Sequence, residues 1–178
     1  MSKICLNMIV KKDSPDIQRC LESVKPWIDR WIIVDSSSGN GEASVRQTLQ
    51  GIPGEFHKCP WVSDVYNMNV ALQFARGKSE YLLMIDPEDE LIASSAFAIS
   101  NLKDDVYVVT QSTYHKYTSA QINQMILYKN YLKMKWVKSE SGSVQMLWIN
   151  LPHQGLIFGK LEEVTTRSIN KQRESYEL

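Results

Sequence analysis

Apolar residues in this chain fall into short continuous runs, separated by segments with helical spacing. Residues 4–10 are apolar apart from Asn7. They predict a strand buried on both faces. Lys11-Lys12-Asp13 forms its exit loop. Ser14, Pro15 and Asp16 predict a helix start, as N-cap, first helical position and first turn. Ile17, Cys20, Leu21 and Val24 then recur at helical spacing until Pro26 ends the helix. Residues 31–34 predict a second buried strand, ending on Asp35 and the loop Ser36-Ser37-Ser38-Gly39-Asn40-Gly41. A helix over 42–50 places Val45 and Leu49 inward. After a Pro53-Gly54 turn comes a short strand over 55–58, and Pro60-Trp61 opens a loop. Residues 66–76 predict a helix with Val70, Ala71 and Phe74 inward, ended by Gly77.

The run Tyr81-Leu82-Leu83-Met84-Ile85 predicts a further buried strand. It should stop at Asp86, because Pro87 cannot donate to a sheet ladder. Four carboxylates follow at once: Asp86, Glu88, Asp89 and Glu90. They read either as a solvated acidic turn or as ligands for a hard cation such as Mg²⁺ or Mn²⁺. The repeated alternation of strand and helix predicts an α/β protein with a mainly parallel sheet covered on both faces. The second half has a different pattern. It predicts a short helix over 94–102 and strands over 106–111, 121–128, 135–138 and 144–149. Short polar links between these strands suit antiparallel pairing. A charged terminal helix is predicted over 161–176, as a solvated amphipathic cap.

Composition narrows the function. A chain of 178 residues makes one domain with a sizeable core. Lys plus Arg equals Asp plus Glu at 20 each, so no nucleic-acid partner is expected. Cys5, Cys20 and Cys59 are scattered and odd in number, so they form neither a disulfide framework nor a zinc site. No apolar run has signal-peptide or membrane-span length. These features predict a reducing, cytoplasmic setting.

In open parallel sheets, ligands bind beyond the carboxyl ends of the strands, where strand order reverses. Three strand ends carry polar residues: Lys11 and Lys12, Asp35, and Asp86. They share one crevice if the first, second and fourth strands are neighbours. Asp35 also suits a turn-capping role. There is no Gly-x-Gly-x-x-Gly after the first strand, no Walker loop and no Gly-x-Ser-x-Gly elbow.

Several segments, in order, resemble the inverting nucleotide-sugar glycosyltransferases of family 2, which have the GT-A fold. Ile4-Cys5-Leu6-Asn7-Met8-Ile9-Val10-Lys11 is similar to the family's opening strand, and Arg19-Cys20-Leu21-Glu22-Ser23-Val24 to its first helix. Trp31-Ile32-Ile33-Val34-Asp35-Ser36-Ser37-Ser38 resembles the strand and loop that hold the base. Pro60-Trp61-Val62 with Asn67-Met68-Asn69-Val70-Ala71-Leu72 resembles the helix facing the diphosphate. Leu82-Leu83-Met84-Ile85-Asp86-Pro87-Glu88 resembles the Asp-x-Asp strand, and His153-Gln154-Gly155 a His-x-Gly before the final helix.

The resemblance implies a single GT-A domain over 1–178, with a Rossmann-like mainly parallel sheet flanked by helices and a small antiparallel part. Residues 1–92 would be the nucleotide-binding half and 93–178 the acceptor-side half. It implies donor contacts from Val10, Lys11, Asp35, Ser36, Asn69 and Asp86, with Asp35 on a uracil or other pyrimidine. Asp86, Glu88 and His153 would hold Mn²⁺ or Mg²⁺ on the diphosphate, although His153 also suits a packed loop position. The implied activity is metal-assisted transfer, by a hexosyltransferase, of a sugar from a UDP-sugar to a saccharide, lipid or protein acceptor.

The chain departs from the pattern in several places. Met68 stands where the family often has Arg, Glu88 replaces the metal Asp, and Pro87 is unusual. Trp136-Val137-Lys138 is followed by Ser139-Glu140-Ser141-Gly142 rather than a His-Glu pair, so Glu140 is the nearest candidate base. A catalytically inactive nucleotide-sugar-binding module of the same fold is the alternative. An unrelated nucleotidyltransferase is a third class, but it would need a Gly-rich basic loop after the first strand. The length is short for a complete enzyme of the family and suits one module of a longer protein.

Overall fold

The computed structural model describes residues 2–11, 16–39, 41–93, 95, 98–115, 118–148 and 158–168. The elements in order are β1 (Ser2–Val10), α1 (Ile17–Val24), a 3₁₀ turn at Lys25–Trp27, β2 (Arg30–Asp35), α2 (Glu42–Thr48) and β3 (Gly54–Lys58). Next come α3 (Asp64–Ala75), β4 (Ser79–Met84), β5 (Asp89–Ala93) and a 3₁₀ turn at Ile99–Asn101. The described chain ends with β6 (Val106–His115), β7 (Thr118–Lys129), β8 (Met134–Lys138), β9 (Val144–Trp148) and β10 (Phe158–Ser168).

Among the described residues, eight strands form one sheet in the order β3-β2-β1-β4-β7-β6-β10-β5. β1 pairs in parallel with both β2 and β4, and β2 with β3. β7 joins antiparallel to β4 and β6. β8 and β9 form a separate antiparallel pair. The first, second and fourth strands are therefore neighbours, and strand order reverses on either side of β1. The result is an α/β fold with a mainly parallel central sheet.

The alternation of side chains along a strand splits the core in two. Ile4, Leu6, Met8 and Val10 of β1 pack with Cys20, Leu21 and Val24 of α1 and with Trp31 and Ile33 of β2. Cys5, Ile32 and Leu82 face the other way, onto Leu72 and Ala75 of α3 and Met134 of β8. Asn7 is the polar exception in β1. It is 5% exposed and donates through Nδ2 to the Ala71 carbonyl of α3 at 2.9 Å, so a buried amide ties the central strand to the helix.

Three expectations need correction. Residues 158–168 form a strand, not the first part of a terminal helix. The charges there suggested a solvated helix, but Val164, Thr165 and Thr166 are β-branched and favour a strand. Pairing with β6 and β5 on either side decides the matter. The strands that were expected do pair antiparallel, β6 with β7 and β8 with β9, while β10 joins β6 in parallel. The helix predicted over 94–102 is only the 3₁₀ turn at Ile99–Asn101 within the described residues. Finally, the acidic turn is short. The Asp89 N–H closes it on the Asp86 carbonyl at 2.9 Å, and β5 starts at Asp89, which is 2% exposed. Ser14, Pro15, Lys12, Asn40, His153-Gln154-Gly155 and residues 169–178 lie outside the described residues.

Candidate functional site

The site lies at the carboxyl ends of β2, β1 and β4. Adjacent strands are about 4.8 Å apart, so the ends of β2 and β4 are separated by about 10 Å. The carboxyl end of β4 carries the acids. Asp86 leaves the strand end two residues after Met84. The turn that follows is braced by α1: Cys20 Sγ donates to the Asp86 carbonyl and Arg19 Nη2 to the Glu88 carbonyl, both at 3.4 Å. Ser23 Oγ accepts the Leu91 N–H at 3.0 Å. The acidic turn is thus seated on a helix, and its carboxylates project from a fixed backbone.

Asp86 keeps a solvent-facing edge, yet its carboxyl is held above the usual carboxylate range. Partial burial is the main cause. Lys11 opposes the shift, and the negative charges of Glu88 and Asp64 add to it. Lys11, Glu88 and Asp64 therefore all lie within electrostatic reach of Asp86. Lys11 extends from the end of β1 to an ion pair with Asp64, the first residue of α3. Its ammonium lies 4.8 Å from the centroid of the Trp61 ring. Trp61 and Val62 stand exposed on the loop before α3. That loop is pinned by Asn67, which is fully buried. Asn67 Oδ1 accepts the Val62 and Ser63 N–H groups at 2.9 and 3.2 Å, and Nδ2 donates to the Pro60 carbonyl at 3.1 Å.

A cavity of about 120 Å³ opens beside Asp86, lined by Asn7, Ile9, Met68, Met84, Asp86 and Trp136 among others. A water occupies about 30 Å³ of liquid, so this pocket takes one part of a ligand and leaves the rest on the open edge. Met68 forms part of its α3 wall, where the family resemblance led to an expected Arg.

Asp35 sits at the matching end of β2, opposite Val10 of β1. It is 2% exposed, and both its oxygens are occupied. Oδ1 accepts the Ser37 N–H at 2.8 Å, and Oδ2 accepts Lys58 Nζ at 2.5 Å. Lys58 also donates to the Gly39 carbonyl. Strand alternation places Asp35 on the α1 and α2 face, like Ile33, and Asp86 on the α3 face, like Met84. The expected single crevice is thus two adjoining places along one sheet edge. The reason is register: the two acids fall at positions of opposite parity. Ser36 is turned inward too. Its N–H and hydroxyl both donate to the Val10 carbonyl, at 2.8 and 2.9 Å.

Asn69 is engaged elsewhere. Nδ2 donates to the Val65 and Trp136 carbonyls at 2.8 and 2.9 Å, and Oδ1 accepts the Trp136 N–H at 2.9 Å. In this structure it clasps β8 to α3. Glu140 is exposed in the turn between β8 and β9 and is not among the residues lining the cavity. Among the described residues no three His, Cys, Asp or Glu side chains converge on a cation site. Asp64, Lys58 and Trp136 were not singled out as site residues from sequence. Lys58 had a faint signal as the polar end of the third strand. Asp64 had none, since an acid in a first helical turn is ordinary.

No protein-family profile matches the chain. It is 28% identical over 130 residues to a protein of Rickettsia prowazekii (strain Madrid E) named uncharacterized glycosyltransferase RP128, covering 72% of this chain and 40% of that one. It is 26% identical over 131 residues to an uncharacterized glycosyltransferase of Rickettsia felis (strain ATCC VR-1525 / URRWXCal2), covering 73% and 42%. The chain thus spans about two fifths of the length of these curated relatives. Among solved structures it shares its fold with S. aureus TarS, at a TM-score of 0.51 and 16% identity over 65% of this chain and 23% of that one. HddC from Yersinia pseudotuberculosis aligns at 0.50 and 10% identity, covering 95% and 94%. The names of the relatives support a glycosyltransferase. No described helix is long and apolar enough to cross a membrane.

Proposed function

We propose that this chain forms the donor-binding part of a glycosyltransferase that uses a UDP-sugar and a divalent cation. One observation carries the reading. The Lys11–Asp64 ion pair and Glu88 lie within electrostatic reach of Asp86 at the carboxyl edge of a parallel sheet, and Asp86 lines a small cavity at the strand-order switch. Open α/β sheets place phosphorylated ligands at such an edge.

The residues present suit Mn²⁺ or Mg²⁺. Asp86 carries surplus negative potential from Glu88 and Asp64, which a cation would relieve. Mg²⁺ is commonly held by one or two carboxylates with substrate phosphates and waters filling the remaining positions. Asp86 and Glu88 would supply those carboxylates, with His153 a third candidate. When bound, the cation supplies charge neutralisation to the departing nucleoside diphosphate. The base would approach the end of β2, where Asp35 would have to exchange a present partner to meet it and Ser36 is anchored on the Val10 carbonyl. The reaction is an inverting displacement. An acceptor hydroxyl oxygen bonds to the anomeric carbon as the sugar–phosphate bond breaks, and a carboxylate base takes the hydroxyl proton. Glu140 is the candidate base. The acceptor is a saccharide, a lipid or a protein.

A non-catalytic nucleotide-sugar-binding module is the second reading. Met68 in the cavity wall and the exposed position of Glu140 in a hairpin turn favour it.

Calorimetry with UDP, with and without Mn²⁺, tests the shared part of both readings. Binding strengthened by Mn²⁺ and lost in Glu88→Ala is expected. No binding of any nucleoside diphosphate would overturn both. Hydrolysis or transfer from a panel of UDP-sugars separates them: turnover that falls in Glu88→Ala identifies the enzyme, and binding without turnover the module.

A further inference from the structure

We infer that Asp64 is a built-in competitor for the diphosphate: it holds Lys11 in an ion pair at the rim of the donor site, and the incoming diphosphate must take Lys11 from it. This rests on the nucleotide-binding reading and assigns a role to a residue outside the expected site.

Among the described residues, Lys11 is the cation available at this edge. Lys58 is tied to the buried Asp35 and the Gly39 carbonyl, Arg19 to Asp16 and the Glu88 carbonyl, and the α3 wall offers Met68. Lys11 is poised rather than fixed. Its side chain is 53% exposed, and its partner Asp64 is 43% exposed. An ammonium has three donors, and Asp64 takes one while the Trp61 ring flanks the group.

Asp64 competes by neutralising a cation that a diphosphate would seek. An exposed ion pair of this kind is weak, so a charge-assisted contact to phosphate can displace it. The pair keeps Lys11 from collapsing onto Asp86 and Glu88 in the empty site. Trp61, held on the loop pinned by Asn67, keeps the ammonium at the rim.

The test is a double-mutant cycle on UDP affinity, measured by calorimetry in saturating Mn²⁺ with wild type, Asp64→Asn, Lys11→Met and the double variant. Thermal melts establish that each is folded, and Asp64→Ser stands in if the Asn variant is not. Asp64→Asn is expected to tighten UDP binding by about two- to fivefold. Lys11→Met is expected to weaken it about tenfold. In the Lys11→Met background, Asp64→Asn should gain little, because there is no lysine left to release. Equal or weaker binding by Asp64→Asn overturns the inference. So does the same gain in both backgrounds, which would mean simple charge repulsion. Either result leaves the nucleotide-binding reading intact. No UDP binding by any of the four proteins would remove that reading and this one with it.

Discussion

Asn69 grips the backbone of Trp136 from both sides: its Oδ1 accepts the Trp136 N–H and its Nδ2 donates to the Trp136 carbonyl, each at 2.9 Å. One amide on α3 thus docks the first strand of the β8–β9 pair, and with it the Trp136 wall of the cavity. Asn69→Ala leaves two backbone groups without their partner. The expected loss is about 2 kcal/mol in urea unfolding. Hydrogen exchange of the β8 amides should speed up more than exchange in β1. Unchanged β8 protection would show that Asn69 is not the clasp.

Two carboxylates make stability depend on pH with opposite signs. Glu55 is bonded by Lys78 Nζ at 2.5 Å and paired with His57 at 3.1 Å. The hydrogen bond from Lys78 is the main cause holding its pKa below the ordinary 4.5. The folded state therefore prefers the carboxylate. That contribution is present above 4.5 and disappears as pH falls through the depressed value. Asp86 is the reverse. Burial raises it above the ordinary 3.8, so the folded state binds its proton more tightly. Its ionisation costs stability as pH rises from 3.8 through the raised value, and the cost is complete above that. Urea midpoints between about pH 3 and pH 7 check both signs. Glu55→Gln should be destabilised near neutrality, with the gap closing on acidification. Asp86→Asn should be stabilised near neutrality, with the gap also closing on acidification.

Gly54 opens β3 directly against an indole ring. A Cβ there would lie 2.1 Å from the Trp31 ring, which is 2% exposed and anchored by Nε1 donating to the Ile52 carbonyl at 2.9 Å. Gly54→Ala must displace that ring and is expected to cost about 3 kcal/mol. Gly41→Ala serves as the control, since a Cβ there meets nothing within 4 Å. Equal midpoints for the two variants would contradict the packing described.

The parallel half of the fold was legible because its strands are buried on both faces and so read as continuous apolar runs. Residues 4–10, 31–34 and 81–85 are of this kind; that they are neighbours in the sheet was only a condition of the shared crevice, and the strand order meets it. β10 was not legible. Lys160, Glu162, Glu163 and Arg167 mimic a solvated helix, and only pairing with distant β6 and β5 makes the segment a strand. β5 was hidden for a related reason, since it begins on an acid that the fold buries. At the site, Pro87 marked where Asp86 leaves the sheet. The faces that Asp35 and Asp86 take depend on register, and the Lys11–Asp64 pair joins residues far apart in sequence. Neither relationship has a local signature.

In the proposed function, a metal-bound nucleoside diphosphate lies along the edge from Asp35 to Asp86. Paramagnetic broadening of backbone amide signals, on titrating Mn²⁺ into the protein with saturating UDP, reads that position directly. Broadening centred on residues 86–89 and reaching Lys11 and residues 35–37, and abolished by Asp86→Asn, is the predicted result. Broadening centred elsewhere, or equally strong in the Asp86→Asn protein, would contradict the account.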